Sequence, residues 1–600
     1  MPRGRYNIIL DAENENELQN DEDSDVESDD DIHGEMRGVI EEYCDLIQEM
    51  EESNVDEPED IPMDPGVEEF VLSSAGQSYR LSDEANGWSF QVKQTLSEDP
   101  MFEEDVGVHI PLDVNWTPLD CFELFFTSEF WKSIKHETNR YAAQQKAKLA
   151  RRGELKPHST LNHWTPVTET ELKKFFSIIV HMTLVKKESL DSYWYVDTFL
   201  NTPFPGKMMS RQRFRAIYSC LHLNDNSNYI PRGEQNYDAF FKLQPFFDRL
   251  VEQSKNLYKP KENLRIDEGI CGFRGRGHFR VFNKEMTDKY GMKIYMLCEA
   301  ESGYVLQMVP YVGDSKSVDK IIKELMEGYL DKWHSVYMDR FFSSPTIMDI
   351  LWLRKTRAVG TVMPNRKGLP QEWRHQELEW NEMSFCHRGN LTACKWRDKR
   401  VVHILTTKHV ATWTEVTIKA KGGHAQRVHK PDCILDYNRN KIGVGLCDQY
   451  VSNYALKRKS MKWWKEMFFH LFARATVNAY IIHYKTKPPG QKRLQFSQFL
   501  RECGSSLAEA GLDGSDEASG SRPHFVDATR LTERHFLEPI PPTASKATTF
   551  RVCKVCADIG KARTGTRGRK ETRYQCEICK IPLCAHPCFK MYHTKRDYTK

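Results

Sequence analysis

No run of this 600-residue chain approaches the roughly 18 apolar residues that a membrane-crossing helix requires. The opening MPRGRYNIILDAENENE has too short an apolar run for a secretory leader and turns acidic at once. Basic residues are absent between Arg5 and Arg37. Net charge is absent too, with 85 Lys+Arg against 85 Asp+Glu, but that zero conceals an imbalance. Residues 1–113 carry 34 acids and 5 bases, a net of −29, which leaves 51 acids and 80 bases in the remainder. An acidic tail on a basic body points to a polyanion partner. Sixteen cysteines without a leader suit reduced thiols and metal ligation rather than a disulfide framework. The reading is of a soluble, intracellular chain with no membrane partner.

Residues 1–113, poor in aromatics, cannot bury enough apolar surface to offset chain entropy, so disorder is expected. GVIEEYCDLIQEM, Gly38–Met50, is the one helical pattern in it, with Ile40, Tyr43, Leu46 and Ile47 on one side. Order is expected from about Trp116, in a helical region over 114–262. TPVTETELKKFFSIIVHMTLV has a Thr168-x-x-Glu171 start and an apolar face, and predicts a buried helix. A helix from Ser210 presents Arg211, Arg213 and Arg215, a hint of phosphate contact.

Residues 263–363 are the centre of the chain. NLRIDEGICGFRGR, YGMKIYMLCEA and GYVLQMVPYVG read as strands, the last two joined by a turn at Gly303. SVDKIIKELMEGYL has helical spacing, and a strand ending at Met338, a helix PTIMDILWLRK and a strand RAVGTVM follow. Three meandering strands, helix, strand, helix, strand is the order of an RNase H-like layer. It sets the ends of the first and fourth strands side by side, and each closes on an acid, Asp267 and Asp339. Carboxylates so placed suit a pair of Mg²⁺ ions about 3.5–4 Å apart acting on a phosphodiester. Residues 364–431 alternate as a β-rich insertion with a basic face from Lys395, Arg397, Lys399, Arg400, Lys419 and Lys421. The core resumes over 432–455 and a helical region over 456–503. There Trp463 interleaves with Arg458, Lys459, Lys462 and Lys465, a pattern suited to a DNA backbone and a splayed base.

A linker is expected over 504–549, rich in Gly, Ser, Pro and Asp. In the tail, 550–600, Cys553, Cys556, Cys576, Cys579, Cys584, Cys588 and His593, with His586 as another candidate, have the spacing of structural zinc sites. So small a segment needs metal to fold. Two Zn²⁺ ions in a cross-braced arrangement are expected, with the pairing of ligands left open.

IDEGICGFRGR, KYGMKIYMLCEAESGYV, YMDRFFSSP, VGTVMPNRKGLP and DYNRNKIGVGLCDQY, in this order, resemble the core of piggyBac-type transposases and proteins derived from them. The resemblance runs from about Asp120 to Lys600. It implies an α/β multidomain chain with an RNase H-like catalytic core and β-rich insertion. It further implies a flanking helical dimerisation and DNA-binding domain, and a cysteine-rich domain that reads DNA near a transposon end. The activity implied is metal-dependent cut-and-paste transposition at TTAA sites by a nuclear homodimer bound to terminal inverted repeats. Trp463 matches a family tryptophan near the cut. One departure bears on catalysis. The family pattern GVDxxDQ reads GVGLCDQ here, so Gly445 stands where the third aspartate belongs, and Asp448 is retained. Three readings follow: a DNA-binding derivative with impaired catalysis, an active enzyme using Asp267, Asp339 and Asp448, or a protein-interaction adaptor.

Overall fold

The computed structural model describes residues 71–72, 77–78, 87–91, 100–110, 115–197, 199–275, 279–282, 290–313, 316–419, 425–456, 462–488, 491–513, 535–542, 548–564, 570–577, 579–595 and 598. The expected helix at Gly38–Met50 and the acidic tail to about residue 70 lie outside the described residues. The chain divides into two compact units at Gly514.

Within the first unit, helices α1 (Pro118–Glu123), α2 (Ser128–Arg151), α3 (Glu169–Leu184), α4 (Arg211–Cys220) and α5 (Gln244–Leu257) precede the sheet. The Thr168 hydroxyl caps α3 by accepting the Glu171 N–H. The return half of a capping box is not made, because the Glu171 carboxylate takes the Arg213 guanidinium through two bonds of 2.5 and 2.6 Å. Arg215 is paired with Asp191 at 2.6 Å. Two of the three arginines expected to face phosphate are thus tied to the fold's own acids.

The sheet contains β1 (Asn263–Gly272), β2 (Tyr290–Glu299), β3 (Val305–Pro310), then helix α6 (Val318–Leu325), β4 (Ser335–Met338), helix α7 (Pro345–Leu353) and β5 (Arg357–Thr361). Its order, β3-β2-β1-β4-β5, with β4 parallel to β1 and β5 and the meander antiparallel, is that of the RNase H-like layer. Strands β6 (Met383–Arg388), β7 (Leu391–Arg397) and β8 (Val401–Thr406) extend it beyond β5. The β-rich region is therefore largely a continuation of the central sheet, since β8 occupies the edge of β5 that would otherwise stand unpaired. Only β9 (Trp413–Lys419) and β10 (Ala425–Pro431) form a separate hairpin. Lys395 does not contribute to a basic face. It is buried and donates to the carbonyls of Trp373, Arg374 and Gln376.

Helices α8 (Asp432–Asn440) and α9 (Gly443–Tyr454) return the chain to the sheet. α9 comes so close that a Cβ on Gly443 would fall 2.9 Å from both Ala300 Cα and the Glu299 oxygen. The β2–β3 turn also requires glycine: Gly303 has φ +72° and rests against Gly443 and Leu446. α10 (Trp463–Thr486) is buried on most of its circumference, with Lys465, Arg474 and Asn478 as polar residues inside. Its Asn478 donates to the Val305 carbonyl and accepts the Val305 N–H, both at 2.8 Å, and donates to Ser254 at 3.1 Å. One side chain thus closes the free edge of β3 and ties it to α5. α11 (Phe496–Asp513) continues ten residues past the expected start of the linker, because Leu500, Cys503 and Leu507 are buried and its Gly504 and Gly511 approach Val180 and Lys174 of α3.

In the second unit, β11 (Leu537–Pro539) pairs antiparallel with β12 (Tyr574–Cys576), and helices α12 (Lys554–Thr564) and α13 (Cys588–Thr594) complete it. The stretch 537–539, expected in the linker, is part of this fold.

Candidate acidic pocket and metal centres

The parallel β1–β4 ladder pairs Arg265 with Tyr337, and two residues further along each strand stand Asp267 and Asp339. Asp339 follows the last residue of β4, and its Oδ1 accepts the N–H groups of Phe341 at 3.0 Å and Phe342 at 3.4 Å. Burial, and then the charge of Asp267, push its carboxyl up to about 7, against the opposing pull of Arg265. Asp267 uses Oδ1 to accept the Glu268 N–H at 2.8 Å. Its Oδ2 takes Nη2 of Arg265 at 2.5 Å and Nε at 3.2 Å. Strand alternation places Arg265 on the same face as Asp267. The guanidinium is 4% exposed, donates to the Tyr437 hydroxyl at 3.3 Å and lies 5.7 Å from that ring. Glu268 points to the other face and pairs with Lys293 at 2.7 Å, as its place in the pleat requires.

Gly445 and Asp448 lie one helical turn apart in the first half of α9. The Asp448 carboxyl is raised by burial and by Asp267, with Arg474 working against both. Its Oδ1 takes Nη2 of Arg474 at 2.6 Å. Arg474, on α10, is 1% exposed and also contacts Cys447 Sγ at 3.3 Å and His470 Nε2 at 3.1 Å. The missing side chain at Gly269 admits this pair to β1, since a Cβ there would meet Arg474 Nη2 at 2.6 Å and Asp448 Oδ1 at 3.4 Å. Asp267 is therefore an electrostatic neighbour of both Asp339 and Asp448, with a buried guanidinium paired to Asp267 and another to Asp448. Sequence reasoning missed Arg265 and Arg474. A signal was available in each case: a charged residue inside the strand LRID two positions before an acid, and one inside the apolar run HLFARATV.

The proposed DNA contacts separate. Lys462 is exposed, with Nζ 5.7 Å from the Tyr141 ring. Trp463 is half-buried, 4.9 Å from Phe279 and 5.8 Å from Phe240, ring centre to ring centre. Lys465 is not a surface contact. It is buried, donates to the carbonyls of Tyr218 and Ser219, and burial pulls its ammonium down to about 7. The helix turns this residue inward, one position after the core residue Trp464. Arg458 and Lys459 lie outside the described residues.

In the second unit, eight donors gather into two groups, Cys553, Cys556, Cys584 and Cys588 in one and His535, Cys576, Cys579 and His593 in the other. Within each, the donor atoms lie within 4.8 Å of one another. Separations such as Cys556–Cys588 at 3.5 Å and Cys579–His593 at 3.7 Å approach the edge of about 3.8 Å that a tetrahedron with Zn–S bonds of about 2.3 Å would have. His593 Nδ1 lies 2.9 Å from the Phe589 carbonyl, which leaves Nε2 to face the cysteines. Both donor sets fit zinc, and their order along the chain alternates in the expected cross-brace. His586 belongs to neither group. It is exposed on the turn after Cys584, and the eighth donor is His535, which sequence spacing overlooked because it precedes the first Cys-x₂-Cys by 18 residues.

Residues 117–480 match the family described as Transposase IS4, and residues 542–594 match one described as a DDE_Tnp_1-like zinc finger. The chain is similar to human PiggyBac transposable element-derived protein 3, 23% identical over 503 residues covering 80% of this chain and 76% of that one. It is also similar to human PiggyBac transposable element-derived protein 2, 24% identical over 426 residues, 68% of each. Among solved structures it is similar to the piggyBac transposase in a cryo-EM synaptic complex with hairpin DNA, at TM-score 0.61 and 25% identity, covering 80% of this chain and 98% of that one.

Proposed function

The chain belongs to the transposase family, in its piggyBac branch, and from that premise we propose that it is a nuclear DNA-binding protein derived from a cut-and-paste transposase, with strand transfer lost or much reduced. The carrying observation is the state of the acidic pocket. Transposition in this family needs divalent metal held by carboxylates, and the donor set here does not suit a metal pair. Gly445 offers no side-chain oxygen, and the Asp267 and Asp448 carboxylates are each already engaged by a guanidinium. The DNA-handling parts persist: a likeness across nearly the full length of a transposase resolved on hairpin DNA, a basic body and a cysteine-rich module. We assign two structural Zn²⁺ ions to that module, and a homodimer on terminal inverted repeats as the DNA-bound form.

A second reading, an active enzyme with Asp448 as third acid, draws on the charge of Asp267 being felt at Asp448. Plasmid excision with Mg²⁺ distinguishes them. Activity that appears only in Gly445→Asp supports the first reading, and wild-type excision abolished by Asp448→Ala supports the second. A gel shift of the full chain on duplex bearing terminal repeats tests DNA binding itself. Affinity is expected to fall steeply with salt, with a log–log slope of about −0.9 per phosphate neutralised. No shift at low salt refutes the proposal and leaves the adaptor role.

A further inference from the structure

We propose that Arg265 and Arg474 are internal counter-ions that close the acidic pocket to divalent cations. This rests on the reading above but makes a separate claim about ion binding. Guanidinium stays protonated at any pH a protein survives, so neither positive charge can be shed to make room for an ion. Neither can turn out to water, because their side chains are 4% and 1% exposed. Each is held at more than one point: Arg265 by Asp267 and Tyr437, Arg474 by Asp448, Cys447 and His470. A divalent ion recruiting Asp267 would set two positive charges beside a guanidinium that has just lost its partner. Breaking a buried pair in this way is costly enough to weaken ion binding by about a hundredfold or more for each pair. The close approach of Arg474 also depends on Gly269, which leaves β1 bare where the guanidinium lies. Asp339 commits Oδ1 to the backbone turn at Phe341 and Phe342, and two fixed guanidiniums already stand against the three acids.

The test is titration of Mn²⁺ into the zinc-loaded full chain, with free Mn²⁺ read by electron paramagnetic resonance. The wild type is expected to show no Asp339-dependent site with Kd below about 1 mM. Arg474→Gln keeps a side chain able to donate to Asp448 but removes its charge, and is expected to tighten Mn²⁺ binding at least tenfold, an effect lost in Arg474→Gln with Asp448→Asn. Two results overturn the inference: a wild-type site tighter than that limit and abolished by Asp339→Asn, or a folded Arg474→Gln chain that binds no better than wild type. If the variant does not fold, the wild-type titration decides alone. A gel shift on the same preparations keeps the two claims apart. Mn²⁺ binding with DNA binding sinks the counter-ion role and leaves the DNA-binding role standing, and failure to bind DNA without Mn²⁺ binding sinks the DNA-binding role and leaves the counter-ion role standing.

Discussion

Asp339→Asn is expected to stabilise the protein above neutral pH, although it alters one of the acids proposed for the ancestral metal site. Asparagine keeps the Oδ1 acceptor for Phe341 and Phe342 and removes the charge that faces Asp267. In the folded chain the Asp339 carboxyl titrates near 7, against 3.8 for the free group. The native state therefore binds more protons than the unfolded state between those values, and wild-type stability falls as pH rises through that window. At about 1.4 kcal/mol per pKa unit, the full penalty above pH 7 is at most about 4 kcal/mol, and the part that develops between pH 5 and pH 8 is at most about 3 kcal/mol. The variant lacks the carboxylate and escapes this loss. All thirteen tryptophans precede Gly514, so urea unfolding followed by tryptophan fluorescence on the full chain reports the first unit alone. The gap between variant and wild type should widen with pH in that range, at unchanged m-value. A variant less stable than wild type at pH 8, or a gap that stays flat with pH, refutes the account of buried repulsion.

Other expectations concern the metal module, the basic helix and the sheet edge. His535→Ala should lower bound zinc from two ions to one per chain by elemental analysis, whereas His586→Ala should leave two. Lys462→Ala should reduce the salt slope of DNA binding by about 1; Lys465→Met should leave that slope unchanged, because its ammonium faces carbonyls inside the fold. Asn478→Ala strands both main-chain groups of Val305 and the Ser254 hydroxyl, and should cost about 2–4 kcal/mol in the same urea assay.

The order of strands and helices was legible in the sequence because each element has a clear period; Asp339 does close its strand, but Asp267 stands mid-strand, because β1 continues to Gly272 in its pairing with β2. The helix that carries Gly445 and Asp448 was not read from its period, since GVGLCDQY begins with two glycines in three residues. Arg265 was passed over although its carboxylate stands two residues along the same strand, and Arg474 was missed because a lone arginine in the run HLFARATV gives no sign that it meets Asp448 across the fold. Lys395 and Lys465 were misplaced for the reverse reason: basic residues two or three positions away, Arg397 and Lys462, are exposed, while their own side chains turn inward onto carbonyls. His535 escaped because metal-ligand spacing is searched locally, and the strand pairing of Leu537–Pro539 with Tyr574–Cys576 is what brings it home.

The alternating order of donors makes the cysteine-rich module indivisible. Any nick between Cys579 and Cys584 divides the donors of both groups, so neither piece retains an intact cage. A truncation that begins at residue 542, where the zinc-finger match starts, discards His535 and leaves one cage with three walls. Both cages together require the whole span from His535 to His593.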